Sequence, residues 1–214
     1  EVTLEHAGFG LVLGEDGKKF KTRSGDVVRL QSLLDKAVEK AKAIFTERNS
    51  DWNMQVINRA ASILGIAAIK YADLSNNRMS DYQFSFERML KFEGNTAAFI
   101  LYSFVRINSI LDKSKISSDE LAAHEIVMEH ESEIDLAFHL TRFSAVVLKL
   151  SNDLNPHYLT DYLYLLAQKY NIFFRDCRVE GDANEASRLL LCRLTSRIIE
   201  KGLNLLGIDV LERM

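Results

Sequence analysis

The sequence is poor in several features that define large protein classes. Its 214 residues include two cysteines, one tryptophan and one proline. Cys177 and Cys192 lack the C-x-x-C or Cys/His spacing of zinc sites, which favours two reduced, packed thiols over a disulfide or a metal site and so predicts a cytoplasmic protein. No run of about 18 uncharged apolar residues occurs, so the sequence predicts no membrane span, and no signal peptide is expected at its start.

The chain also lacks an excess of positive charge. Its net charge is −3 and its apolar content is 47%. Binding to nucleic acid without sequence preference depends on how many phosphates the protein neutralises, so this charge argues against a protein that coats RNA or DNA indiscriminately. The net charge does not exclude a local basic surface on a globular protein.

Glycine and lysine are concentrated near the start of the chain. Residues 6–25 are strand-like and glycine-rich, and the loop Gly14–Gly25 carries Lys18, Lys19, Lys21 and Arg23. Mobile backbone with several cations suits a clamp over a triphosphate, although a solvated turn has the same composition. The chain opens on Glu1 and runs straight into apolar alternation, so we expect it to be part of a longer protein.

After this loop the apolar residues recur every three or four positions, which predicts helices. Ser117 and Glu120 predict a reciprocal N-terminal cap, Pro156 suits a first helical turn, and Gly207 suits a C-terminal cap. The polar stretch 75–81 predicts a boundary between two regions. The predicted helices cover Leu30 to Phe45, an N-cap at Asp51 to Tyr71, about 95–112, a segment after Ser117, about 133–151, a segment from Asn155-Pro156, and about 185–206.

Two pairs of residues stand four positions apart on these helices. Tyr102 and Arg106 share one helix face, and Phe174 and Arg178 repeat the arrangement on another helix. An aromatic plane beside a cation can stack an unpaired base and hold its phosphate. A core tyrosine beside a surface arginine would show the same spacing, so the pattern leaves both interpretations open.

Five segments, taken in order, resemble one family. Gly94–Ile107, Pro156–Val179 and Leu205–Met214 resemble the C-terminal half of arginyl-tRNA synthetases. Phe20–Gly25 is similar to that family's degenerate KMSKS loop, and Lys70–Phe86 is similar to its passage from the catalytic domain to the anticodon-binding domain.

The resemblance implies a mainly α protein in two parts. Residues 1–82 would be the C-terminal end of a class I synthetase catalytic domain, a short β and loop element plus helices. Residues 83–214 would be an all-α anticodon-binding helical bundle. The intact enzyme would attach arginine to tRNA-Arg using ATP with Mg²⁺, while this chain alone is expected to be inactive and to hold no cofactor or metal tightly.

The resemblance also assigns residues to the ATP site. Lys21 and Arg23 would assist catalysis, and Phe20, Lys21 and Thr22 would contact the nucleotide. Phe20 stands where the family usually has methionine, and Thr22 where it has its second lysine. We therefore expect backbone contacts to the phosphates, assisted by Lys21 or Arg23.

The same resemblance assigns tRNA contacts to Tyr102, Arg106, Phe174, Arg178 and Met214. The alternative is a helical module that docks protein partners and has lost the RNA role. The intact enzyme would have tRNA-Arg, arginine and ATP as partners, and no membrane partner is expected. The resemblance does not decide whether the enzyme assembles with other synthetases. Solvent-facing positions are expected for the stripe Arg193, Arg197 and Lys201, for which a contact with the tRNA backbone is the alternative. The acidic group Glu125, Glu129, Glu131, Glu133 and Asp135 is expected to face solvent away from RNA.

Overall fold

A computed structural model describes residues 2, 4–18 and 29–214, apart from the side chain of Ser118. These residues form two short strands and nine α-helices. In chain order they are β1 (Val12–Leu13), α1 (Leu30–Arg48), α2 (Met54–Leu74), β2 (Tyr82–Gln83), α3 (Phe86–Met89), α4 (Ala97–Lys113), α5 (Ser118–Ala123), α6 (Glu131–Thr141), α7 (Phe143–Asp153), α8 (His157–Asp176) and α9 (Glu185–Leu205). The predicted mainly α class is confirmed.

The two strands pair in parallel across a long connection that contains α1 and α2. Val12 lies opposite Tyr82 and Leu13 lies opposite Gln83. The amides of Tyr82 and Phe84 donate to the carbonyls of Leu11 and Leu13 at 3.1 and 2.8 Å. This ladder joins the strand-like start of the chain to the polar stretch after α2.

Helices α1 and α2 pack closely against each other. Ala37, Ala41 and Phe45 supply the buried face of α1. At Gly65 in α2, an added Cβ would lie 2.6 Å from the backbone nitrogen of Val38, so this crossing requires glycine. The predicted N-cap at Asp51 was wrong, because the side chain of Asn53 accepts from the amide of Val56 and α2 begins at Met54.

The remaining long helices form a bundle around α4, α8 and α9. The predicted core face of α8 is confirmed, since the side chains of Leu159, Leu163, Leu166, Tyr170 and Phe173 are all fully buried. Helix α4 packs against α2, α8 and α9, and α6 packs against α8 and α9. Among the described residues, no helix is both long enough and apolar enough to cross a membrane.

The segment predicted as one helix over 133–151 is two helices. Thr141 donates its hydroxyl to the carbonyl of Phe138 at 2.7 Å, and the amide of Arg142 turns instead to the carbonyl of His139 at 3.1 Å. The carbonyl of Phe138 is the partner that a continuous helix would give to Arg142, so the threonine competes with the ladder. Helix α6 therefore ends before Arg142.

Two predicted caps are confirmed. The hydroxyl of Ser117 accepts from the amide of Glu120 at 3.2 Å, and the carboxylate of Glu120 accepts from the amide of Ser117 at 2.8 Å. After α9, Gly207 has a φ of 68°, the left-handed conformation that commonly ends a helix.

Candidate nucleic-acid interface

Helix α4 presents Tyr102 and Arg106 outward while most of its surface is buried. Thr96 caps the helix by accepting from the amide of Phe99, and an apolar run covers most of its circumference. Leu101 and Ser103 are fully buried, whereas Tyr102 between them is 44% exposed. The interpretation of Tyr102 as a core residue is therefore wrong.

The two predicted pairs are joined through Arg106 and Phe174. The prediction that Phe174 and Arg178 share one helix was wrong, because α8 ends at Asp176 and the backbone of Cys177 is extended. The guanidinium carbon of Arg106 lies 4.3 Å from the ring centre of Phe174, which joins α4 to the end of α8. The ring of Phe174 also stacks on Tyr170, with centroids 6.2 Å apart and planes inclined by 23°. Tyr170 is fully buried, so the half-exposed Phe174 rests on a fixed aromatic base. We call Tyr102, Arg106 and Phe174 the aromatic cluster.

A depression of about 580 Å³ lies beside this cluster. Ile110 and Lys113 line it from α4, and Phe174 and Arg178 line it from the end of α8 and the segment after it. Ile110 and Lys113 follow Arg106 by four and seven positions, so they continue the helix face that carries Tyr102 and Arg106. The floor is thus partly apolar, and cations stand at its rim.

Acidic side chains share the same depression. Asp176 pairs with Arg175 at 2.7 Å, and hydrogen bonds from Arg175 lower the pKa of Asp176. The carboxylate of Glu185 accepts from the amide of Gly181 at 2.9 Å. In both contacts a carboxylate binds a group of the protein itself, which offsets part of its negative charge. The surface is consequently mixed in charge, which fits the net charge of −3 better than a uniformly basic groove does.

Glu133 does not face solvent, contrary to the expectation for the acidic group. It is fully buried, and its carboxylate accepts from the Nε of Arg188 at 2.6 Å. The amides of Glu129 and His130 each donate to the other carboxylate oxygen at 2.8 Å. Burial raises the pKa of Glu133, but the His130 amide, the Arg188 pair and the Glu129 amide together outweigh burial and lower that pKa.

The other members of the acidic group are exposed as expected. Glu133 differs because it occupies the third position of α6, where its carboxylate completes a reciprocal cap with His130. Histidine is outside the usual set of N-cap residues, so the sequence pattern did not reveal this cap. Nor did the sequence pattern reveal a role for Arg188, although it directly precedes the apolar run Leu189–Cys192 of α9.

Met214 lies in a different region from the aromatic cluster. It is half-buried and packs against the core, while Arg213 lies 4.8 Å from the ring of Trp52 and Glu212 pairs with Arg59 at 3.7 Å. Glu212 lines a second depression, of about 790 Å³, together with Phe104 and Asn108 of α4. Those positions are turned about 200° from Tyr102 and Arg106 around the helix. The tRNA contact of Met214 stays a prediction.

The predicted ATP-site residues cannot be compared with this geometry. Phe20, Lys21, Thr22 and Arg23 lie outside the described residues. Lys18, the last described residue before them, donates its amide to the carboxylate of Asp16 at 3.0 Å. The roles of the four residues at a nucleotide stay predictions.

Comparisons with known proteins agree with this architecture. Residues 100–214, more than half of the chain, match the family described as "DALR anticodon binding domain", and residues 1–86 match "tRNA synthetases class I (R), catalytic domain". The fold is therefore that of a helical anticodon-binding domain that follows the end of a class I synthetase catalytic domain.

Sequence relatives narrow the class further. An arginine–tRNA ligase of Protochlamydia amoebophila is 47% identical over 100% of this chain and 37% of that protein, and one of Chlamydia caviae is 49% identical over 99% of this chain and 37% of its own length. The chain belongs to the arginyl-tRNA synthetase family. It spans little more than a third of the length of these relatives.

Solved structures show the same likeness in three dimensions. The arginyl-tRNA synthetase of Plasmodium falciparum matches with a TM-score of 0.85 and 33% identity, covering 98% of this chain and 35% of that chain. The Thermus thermophilus enzyme matches with a TM-score of 0.79 and 27% identity, over 96% and 35% of the two chains. These findings give no support to the alternative of a protein-docking module.

Proposed function

We propose that this chain binds the anticodon region of tRNA-Arg through the aromatic cluster and the depression beside it. The observation that carries the proposal is the placement of Arg106 4.3 Å over the ring of Phe174, on the helix face that also exposes Tyr102. Unpaired bases in a loop can stack on such rings and on guanidinium planes, while cations at the rim hold the phosphates.

The division of roles follows from the chemistry of each side chain. Tyr102 offers an exposed ring and a hydroxyl, so it can stack on a base and also form a hydrogen bond with a base edge. Phe174 stacks but has no hydroxyl, so discrimination at that position would come from shape and from neighbouring groups. Lys113 and Arg178 contact phosphate, and Met214 would contribute an apolar contact from the tail.

The intact enzyme is proposed to be an arginine–tRNA ligase in the cytoplasm. It would activate arginine with ATP and Mg²⁺ and transfer it to tRNA-Arg. Phe20, Lys21, Thr22 and Arg23 would lie at the triphosphate, with Lys21 and Arg23 stabilising the charge that develops there. The boundary between the catalytic part and the anticodon part is proposed after residue 82.

Titration of a fluorescent tRNA-Arg transcript with Tyr102→Ala and Arg106→Ala tests the anticodon assignment. Each variant should bind more weakly than the parent, with the same helical circular dichroism signal. Phe138→Ala is a matched control, because Phe138 is a 65% exposed aromatic residue on α6, outside the cluster. Parent-like affinity in both cluster variants would refute the assignment.

A second test concerns the reaction. The chain by itself should catalyse no arginine-dependent exchange between pyrophosphate and ATP, because the arginine pocket and most of the nucleotide-binding fold are proposed to precede Glu1. Detectable exchange that depends on arginine would overturn this part of the proposal. Added tRNA-Arg should not restore exchange to the chain.

A further inference from the structure

The segment between α8 and α9 carries Arg178 at the rim of the depression. The Nε of Arg178 donates to the carbonyl of Glu180, two residues later, at 2.9 Å. Gly181 then adopts a φ of 72°, a left-handed conformation that favours glycine, and its amide donates to Glu185 at 2.9 Å. The direction of the Arg178 side chain therefore depends on how the turn 178–182 is folded.

Arg188 holds both ends of this turn. Its Nη1 donates to the carbonyl of Arg178 at 2.7 Å and pairs with the Oδ2 of Asp182 at 3.0 Å. The other carboxylate oxygen of Asp182 accepts from the amide of Asn184 at 2.9 Å, at the start of α9. A single guanidinium thus connects the first and last residues of the turn.

Glu133 fixes Arg188 from the opposite side. The carboxylate pairs with the Nε of Arg188 and is itself held by two amides at the start of α6. Glu133 is fully buried and Arg188 is 8% exposed, so neither is accessible to a large ligand. Arg178, in contrast, is exposed. The hydrogen bond from Arg188 to the carbonyl of Arg178 joins the buried pair to the exposed arginine.

We propose that Arg188, held by Glu133, is a positioning residue that folds the turn 178–182 and so aims Arg178 at RNA phosphate in the depression. The inference rests on the proposed tRNA binding and names residues that act on it without touching RNA. Its physical basis is preorganisation: an arginine whose backbone and Nε are already held loses less conformational freedom when phosphate binds.

The double variant E133Q/R188M tests this role without altering the net charge. It removes one negative and one positive group, so the overall attraction of the chain for RNA is unchanged. The glutamine introduced by E133Q still offers an acceptor to the α6 amides, and the methionine introduced by R188M fills volume without leaving a buried ion. Circular dichroism and thermal unfolding should confirm that the double variant is folded.

The measurement is the salt dependence of tRNA-Arg binding. Arg178→Ala should reduce the slope of log K against log salt concentration by about 0.7–0.9, the value for one lost phosphate contact. E133Q/R188M should reduce the slope by a similar amount, although no exposed cation is removed. In a chain that already carries Arg178→Ala, the same double change should produce no further reduction. Lys36→Ala on α1 is the control for loss of an exposed cation elsewhere.

Asp182→Asn provides a second test with less risk to the fold. The carboxylate serves Arg188 and the amide of Asn184 through different oxygens, and the substitution replaces one of these oxygens with an NH2 donor, so one of the two contacts is lost. Removal of a negative charge should by itself favour RNA binding. The positioning role predicts the opposite, a weaker affinity than that of the parent.

The outcomes separate this inference from the proposed function. If the parent chain does not bind tRNA-Arg, or Arg178→Ala binds like the parent, the phosphate contact and the positioning role both fall. If Arg178→Ala lowers the salt slope but E133Q/R188M keeps the parent slope, or Asp182→Asn binds as tightly as the parent, the positioning role alone is refuted.

Discussion

Two regions carry the proposed RNA contacts, and they are supported in different ways. Around the aromatic cluster, Phe174 rests on buried Tyr170, and the backbone of Arg178 is held by the buried pair of Arg188 and Glu133. In the tail, Glu212 and Arg59 form a surface pair whose side chains are 87% and 76% exposed. Buried, fully bonded groups hold one geometry, whereas exposed ion pairs are screened by water.

The comparison indicates which of the two regions should contribute more to RNA affinity. A preorganised surface loses little conformational entropy on binding, so its contacts contribute more to affinity. The cluster should therefore behave as the main anchor for RNA. The tail, whose Met214 is half-buried and whose Arg213 lies over the ring of Trp52, should add a smaller contribution.

The largest effect is expected when the buried pair is broken on one side. Arg188→Met alone leaves the carboxylate of Glu133 buried without its ion partner, which should lower the free energy of unfolding by about 3–5 kcal/mol. Urea unfolding measures this loss. E133Q/R188M should recover most of it, because no buried charge remains. A single variant as stable as the parent would show that the network does not support this region.

The next effect concerns RNA affinity at the cluster. Phe174→Ala removes the ring on which Arg106 lies and on which a base can stack, and should weaken tRNA-Arg binding by about 1–3 kcal/mol. Fluorescence anisotropy with a tRNA-Arg transcript measures the change, with Phe138→Ala as the control. If Phe174→Ala and Phe138→Ala bind tRNA-Arg with equal affinity, the cluster matters no more for binding than an exposed aromatic residue elsewhere on the surface.

A pH dependence sharpens the role of Glu133. Its pKa in the folded chain lies below the ordinary value of 4.5, so the group adds stability above pH 4.5 that is lost as the pH falls through the lowered pKa. The parent should lose stability more steeply with acid than E133Q/R188M, since glutamine binds no proton in this range. Urea unfolding between pH 7 and pH 3 measures both slopes. Asp176 and Glu120 are common to both chains and cancel. Asp182 adds to the difference, because the Asn184 amide and then Arg188 lower its pKa and E133Q/R188M removes the part due to Arg188.

The smallest effects are expected in the tail. Glu212→Gln should change the free energy of unfolding by less than about 1 kcal/mol, because the pair with Arg59 is exposed and 3.7 Å long. Met214→Ala should weaken tRNA-Arg binding less than Phe174→Ala does. If Met214→Ala has the larger effect, the tail is the main anchor and the comparison is reversed.

Local patterns predicted much of the helical framework. The cap formed by Ser117 and Glu120, the buried face of α8 and the left-handed Gly207 all depend on neighbours within a few positions in the chain. Errors arose where a competing local bond was decisive. Asn53 capped α2 in place of Asp51, and the hydroxyl of Thr141 took the carbonyl that would have continued α6.

The sequence named the residues of the candidate cluster but not their arrangement. Spacing paired Tyr102 with Arg106 and Phe174 with Arg178, each expected within one helix, but α8 ends at Asp176, before Arg178. The structure adds a contact between helices, with Arg106 over Phe174. Glu133 and Arg188 are 55 positions apart, so the helical periodicity of neither segment could indicate that they meet.

By itself, the sequence determined the helical class, several of the helix termini and the resemblance that led to the family. The helical class and the helix termini follow from interactions between residues that are close in the chain. The tertiary structure alone decided which of several acidic residues is buried, which arginine supports a turn and which is exposed, and that two helix faces form one cluster. Burial and ion pairing depend on the packing of distant segments, which periodicity along a single helix does not encode.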